Sequence, residues 1–228
     1  GDEHFFHKID PPRNCTSTDR IFSIFYHTLG GGELRPDEKT YKIKIYKRGK
    51  TNIRYDWDKG GKAMMLQDGN VRLRPVVLPD DIRLAVPWYR DPEVLYYSEG
   101  GASPYDADQV EKMYRHLLAK GEVFIIEIRQ ADRWLAIGDA ALCTDCLPIV
   151  IGDGKYRSQG IGKKVLGLLI RYAQSQGRNK LRVNGVYTYN ERSRRLYESF
   201  GFVATETYAD ADGNELIRYE LALRNGTP

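Results

Sequence analysis

The sequence predicts an α/β protein in which a mixed central sheet carries helices on both faces, with a small α+β segment in front of it. Three observations carry this expectation. Apolar periodicity across residues 70–224 alternates between two and 3.6 residues, in the order β-α-α-β-β-β-α-β-α-β-β. A short apolar run at residues 147–151 feeds a glycine-rich basic turn, Gly152 to Gly162. A helical pattern follows, with Ile161, Val165, Leu168, Leu169 and Tyr172 recurring at spacings of three and four. A further strand at residues 181–186 leads into a helix over 191–200, which Asn190 can cap and Gly201 can end.

The remaining elements follow in chain order. Residues 19–29 read as a short helix capped by Thr18 or Asp19, and Gly30-Gly31-Gly32 ends it. Residues 40–46 alternate Tyr41, Ile43 and Ile45 against Lys42 and Lys44, and 51–57 return as a second strand, giving a hairpin with one basic face. Asp68-Gly69-Asn70 is a turn, so residues 1–69 are expected to form an extension and 70–228 the main domain. Val71, Leu73, Val76 and Val77 form the first strand of that domain, interrupted by Pro75. Short helical pieces start at Pro79-Asp80-Asp81 and at Asp91-Pro92-Glu93. A longer helix spans 107–120, with Val110, Met113, Tyr114, Leu117 and Leu118 on one face. Residues 123–129 and 134–142 are strands joined by a turn at 130–133. Residues 203–208 and 216–223 form a final hairpin.

Composition narrows the function classes. The 228 residues are 41% hydrophobic and 29% charged, the balance of a globular domain. No apolar run reaches the ~20 residues a spanning helix needs, and no basic-then-apolar signal pattern opens the chain, so cytoplasm is the expectation. Three cysteines, Cys15, Cys143 and Cys146, make no disulfide framework. The net charge of +4 lies in residues 1–65, with 13 Lys/Arg against 9 Asp/Glu, while the remainder balances at 22 against 22. A nucleic-acid partner is therefore not expected of the main domain. His4 and His7 lack a third ligand nearby, and Cys143-x-x-Cys146 is half a metal site at most, so no metal is expected.

The turn between strand and helix presents backbone N–H groups and a positive helix end to an anion. It fails the P-loop code, which needs Gly and Ser/Thr where Arg157 and Lys164 stand. It also fails the dinucleotide code, because Arg157 replaces the third glycine. Arg157-Ser-Gln-Gly160-Ile-Gly162 does satisfy [Q/R]-x-x-G-x-[G/A], and Asn190-x-x-Ser193-x-x-x-Tyr197-x-x-x-Gly201-Phe202 follows one strand later. The two motifs together resemble the GCN5-related N-acetyltransferases (GNAT), in the branch of ribosomal-protein and aminoglycoside acetyltransferases.

The resemblance implies acetyl-CoA as cofactor, bound in a gap between two splayed parallel strands, here residues 147–151 and 181–186. It assigns the pantetheine amides to Ile149, Val150 and Ile151. The pyrophosphate goes to the turn Arg157, Ser158, Gln159, Gly160, Ile161 and Gly162, with Lys163 or Lys164 nearby. Asn190, Ser193 and Tyr197 complete the cofactor site. Acetyl transfer to an amine then needs an oxyanion donor, the backbone N–H of Val150 or its neighbour, and a proton donor for the leaving thiolate, Tyr197. A base must deprotonate an amine whose ordinary pKa is near ~10.4. Relatives place a glutamate where Cys146 stands, which leaves Asp145, Asp139, Glu99 or a relayed water as candidates, and Cys146 as a covalent nucleophile. Trp88, Tyr96, Tyr97, Glu99 and Tyr105, with Tyr89 beside them, form an aromatic and acidic stretch suited to a cationic amine. The acceptor is expected to be a protein N-terminal amine or a small amine, aminoglycoside or polyamine, handled by a monomer or homodimer without a membrane. The competing readings are a non-catalytic acyl-CoA-binding module and a nucleic-acid-associated protein using the hairpin lysines.

Overall fold

The structure, a computed structural model, describes residues 42–48, 51–57 and 63–223, with side chains from residue 65 onward. The expected helix over 19–29, His4, His7 and Cys15 lie outside the described residues. Seven strands form one sheet in sequential order: β1 (Lys42–Arg48), β2 (Thr51–Trp57), β3 (Ala63–Asp68), β4 (Val71–Pro75), β5 (Gly121–Gln130), β6 (Arg133–Cys143) and β7 (Ile149–Ile151). A second sheet has the order β8-β10-β9, from β8 (Lys180–Tyr187), β9 (Val203–Ala209) and β10 (Glu215–Ala222). The helices are α1 (Ile82–Ala85), α2 (Pro92–Glu99), α3 (Ala107–Lys120), α4 (Ile161–Ser175) and α5 (Glu191–Glu198).

Two apolar cores flank the main sheet because β5 alternates. Val123 and Ile125 face α1, α2 and α3, whereas Phe124, Ile126 and Ile128 face α4 and α5. The α4 stripe Ile161, Val165, Leu168, Leu169 and Tyr172 is buried in the second core, as its spacing predicts. Asp106 and Gln109 close a reciprocal capping box at the start of α3. Asp91 caps α2, and Gly100, at φ +66°, stops it so that Glu99 ends the helix.

Three expectations are corrected. Every ladder among the described residues is antiparallel, and β7 and β8 lie in different sheets with no ladder between them, so the mixed sheet is a pair of antiparallel sheets. The first strand of the main domain runs only as far as Pro75 and excludes Val76 and Val77, although the Val76 N–H still donates to the Val123 carbonyl at 2.9 Å. Finally, β3 was not anticipated. It pairs with both β2 and β4, so the hairpin strands continue the same sheet across the turn at residues 69–70.

Candidate active site

The gap between β7 and β8 opens into two confluent clefts. The larger, of about 1000 Å³, is walled by α2, β7, the turn before α4, and the start of α5. The smaller, of about 300 Å³, runs between β7 and β8 beneath α2 and α3. Tyr97, Ser98, Ile149, Val150, Asn190 and Ser193 line both.

The turn is built as an anion cradle. Ser158 and Gly160 adopt positive φ, +62° and +77°, and turn the chain tightly into α4. Gly160 is the N-cap and supplies no side-chain bond. The N–H groups of Ser158, Gln159, Gly160, Ile161 and Gly162 donate to no acceptor among the described residues. Ser158, Gly160, Ile161, Gly162 and Lys163 line the larger cleft, so this set of donors fits a phosphate group there.

The Arg157 side chain serves the loop itself. Its guanidinium pairs with Asp91 and Glu93 at 2.6 Å each, and donates to the carbonyls of Ile151 (3.0 Å) and Gly152 (2.8 Å). The Arg157 guanidinium also counters burial at Asp91, which sits below the usual carboxylate range once backbone donors are added. Arg157 thus clamps the turn to the N-terminus of α2 and is not a free phosphate ligand. Gln159 turns away to the Lys155 carbonyl (2.6 Å) and lines neither cleft. Of the two lysines, Lys163 lines the cleft, while Lys164 Nζ donates to Asn70 Oδ1 at 2.7 Å.

At β7 the register decides which backbone groups face the gap. Ala141 N–H donates to Pro148 O and Cys143 N–H to Cys146 O, and Val150 pairs opposite Asp139. Steps of two put the Val150 backbone groups in this same set, directed at β6. The Val150 N–H is therefore not a cleft-side donor. The groups of Ile149 and Ile151 point the other way. Arg157 takes the Ile151 carbonyl, and Ile149 N–H and C=O remain for a ligand.

Tyr197, on α5, reaches the smaller cleft one turn after Ser193. It is buried between Phe202 and Tyr219, and its hydroxyl donates to the Leu147 carbonyl at 2.7 Å. Burial holds its pKa well above the ordinary tyrosine value. Asn190 caps α5 by accepting from Ser193 N–H (3.1 Å) and donates to the Tyr97 carbonyl (3.0 Å), tying α5 to α2 across the cleft.

The acidic groups separate by position. Asp145 lines neither cleft. It sits in the turn between β6 and β7, and its Oδ1 is buried with no hydrogen-bond partner among the described residues. Asp139 does line the smaller cleft. A bulge at Ile137, where Ile126 opposes Gly138 and Glu127 opposes Ala136, brings it to the helix-α3 face. There it accepts from Tyr89 (3.0 Å) and Tyr114 (2.8 Å), and burial pushes its pKa up to about 7 despite both bonds. Glu99 lines the same cleft, accepts from Tyr105 at 3.0 Å, and is raised by burial. Among the described residues no lysine, arginine or histidine lines this cleft.

The aromatic stretch divides. Tyr97 lines both clefts. Trp88 lines neither. It is buried under Gly152, where an added Cβ would come within 2.1 Å of its ring. Tyr96 is exposed and stacks on Tyr189 at 4.6 Å, outside the clefts. Tyr105 stacks on Tyr89 (5.7 Å) and acts only through Glu99. Sequence reasoning missed Tyr187, which lines the smaller cleft, and Tyr114, which it placed only in the core. A lone aspartate within the apolar strand Ile137–Leu142 was the signal that buried hydroxyl partners had to exist.

Residues 70–203 match the model of the acetyltransferase (GNAT) domain, and the chain belongs to this family. No curated protein sequence matches it. Among solved structures it is similar to a probable GNAT-family acetyltransferase from Chromobacterium violaceum, at TM-score 0.59 and 15% identity over 71% of this chain and 87% of that one. It is similar to yncA of Salmonella typhimurium, solved with its cofactor acetyl-CoA, at TM-score 0.51 and 18% identity over 70% and 98%. AAC(6')-Ib, solved with ribostamycin and coenzyme A, gives TM-score 0.55 and 17% identity over 69% and 96%. At these identities the likeness is one of fold. No described helix is long and apolar enough to cross a membrane, and no cluster of three metal-ligating side chains occurs among the described residues.

Proposed function

We propose that the protein is an acetyl-CoA-dependent N-acetyltransferase acting on a primary amine through residues 70–228, with 1–69 as an extension. One observation carries the reading. A cradle of unpartnered N–H groups and a cleft lined by two carboxylates meet at Ile149, with Tyr197 beside the junction. Bound acetyl-CoA would supply the activated acetyl thioester. The N–H groups of Ser158 to Gly162 and Lys163 hold its pyrophosphate, and Ile149 holds its pantetheine arm. Ser193 and Asn190 line the passage between the clefts.

The amine enters the smaller cleft as a cation, drawn by Glu99 and Asp139 with no competing positive side chain among the described residues. Asp139 with a pKa of about 7 is half ionised near neutral pH and takes the proton, directly or through a water. Ile149 N–H faces the reacting carbonyl in place of Val150 N–H. Tyr197 would exchange its bond to Leu147 for one to the departing sulfur, and any proton it gave there would be made good from the proton the amine sheds. The cleft of about 300 Å³ admits the amine-bearing end of a small molecule or of a protein N-terminus. The test is thiol release from acetyl-CoA across a panel of peptide N-termini, polyamines and aminoglycosides. Turnover with at least one acceptor is expected. Binding of acetyl-CoA without release from any acceptor would support a non-catalytic module instead.

A further inference from the structure

The turn at the root of β7 carries chemistry that acetyl transfer does not use. Cys143 ends β6, and its N–H donates to the Cys146 carbonyl at 2.9 Å across Thr144 and Asp145. Both side chains lie on one face. Cys143 is buried in the α3-side core, while Cys146 packs against that core and lines the smaller cleft. Residues opposed across a hydrogen-bonded antiparallel pair stand about 5.5 Å apart at Cα, within the span of a disulfide. The Cys143 thiol donates to the Leu117 carbonyl at 3.9 Å, and Cys143 itself does not line the cleft. One sulfur is therefore reachable from the cleft, and the second waits behind it.

We propose that Cys146 and Cys143 form a reversible thiol-modification site, oxidised by a hydroperoxide that enters the smaller cleft. The Cys146 sulfur takes one oxygen from the hydroperoxide, which leaves as its alcohol or as water, giving a sulfenic acid. The Cys143 sulfur then bonds to the Cys146 sulfur and expels that oxygen as water. Two thiols lose two electrons and two protons, and the hydroperoxide gains them. Leu147 follows Cys146 directly, and its carbonyl holds the Tyr197 hydroxyl at 2.7 Å. Drawing Cys146 toward Cys143 displaces that carbonyl and withdraws a sulfur from the cleft wall. This consequence for turnover rests on the role of Tyr197 proposed above, whereas formation of the disulfide does not.

The experiment treats the full chain with hydrogen peroxide, alkylates it, and maps the tryptic peptide spanning residues 134–155, which carries both cysteines. The expected result is a peptide lighter by two hydrogens and closed to alkylation. Thiol release should fall about tenfold, and dithiothreitol should restore both. Cys143→Ala, outside the cleft, should keep its turnover when reduced. Under peroxide it should accumulate a dimedone-trapped sulfenic acid at Cys146 in place of the disulfide. Cys143→Ser, with a melting curve, guards against a folding defect. Both cysteines remaining alkylatable would overturn the site, and a disulfide with undiminished turnover would overturn its coupling to Tyr197. Failure of the acetyltransferase reading would look different, as no turnover in the reduced protein while the peptide map still closes.

Discussion

The two clefts meet at one strand but are made in opposite ways. The larger is built from consecutive residues: five backbone N–H groups in one turn, oriented by two positive-φ residues and a helix start. The smaller gathers Asp139 from β6, Glu99 from α2, Tyr187 from β8 and Tyr197 from α5, and tyrosines from elsewhere hold both carboxylates. A local backbone device tolerates side-chain change, whereas an assembled one fails when any member moves. Substitutions should therefore cost turnover in the smaller cleft and affinity in the larger.

The largest effect is expected for Tyr197→Phe. Loss of the proton donor should lower kcat about 100-fold with acetyl-CoA affinity nearly unchanged, measured by thiol release and calorimetry. An affinity loss matching the rate loss would break the contrast between the clefts. Asp139→Asn should reduce kcat somewhat less and alter its pH dependence. In the native protein activity rises with pH through about 7, as the carboxyl ionises, and the variant should lose that inflection. Stability runs the other way. The folded pKa lies above the unfolded value, so the stabilisation is full below the unfolded pKa and is lost as pH rises through about 7. Melting curves should accordingly show Asp139→Asn gaining on the native protein between about pH 4 and pH 7, the window bounded by the unfolded and folded pKa values, and no further gain above it.

Smaller effects sharpen the account of the larger cleft. Gly152→Ala drives a methyl into Trp88 and should cost about 1–3 kcal/mol of stability without touching a ligand group. Lys163→Ala should weaken acetyl-CoA binding a few-fold, about 0.5–1 kcal/mol, and more at low salt. Lys164→Ala, bonded to Asn70, should leave binding unchanged. Equal losses at both lysines would mean that the cradle is not oriented as described.

The same contrast explains what could be read from sequence. The two motifs, the capped α3 and the α4 stripe are local patterns, and their physics is contained in a dozen neighbouring residues. Arg157 is visible in the motif, but its partners Asp91 and Glu93 lie more than sixty residues away, so its role as a clamp is not. The bulge at Ile137 leaves no mark in composition, yet it sets the face on which Asp139 stands, while Asp145 is kept from the cleft by its place in the turn beyond β6. Ladder parity on β7 likewise moved the cleft-side donor from Val150 to Ile149. The strand β3 escaped because Ala63-Met-Met-Leu-Gln-Asp68 alternates weakly and earns its place by pairing on both sides.

Calorimetric titration of acetyl-CoA into the native protein and into Gly160→Ala probes the N–H cradle itself. A side chain at φ +77° strains the turn that aims the five N–H groups. We expect one-site binding to the native protein and binding about tenfold weaker in the variant, with both proteins folded. No binding to the native protein at millimolar acetyl-CoA, or equal affinity in the two, would contradict this.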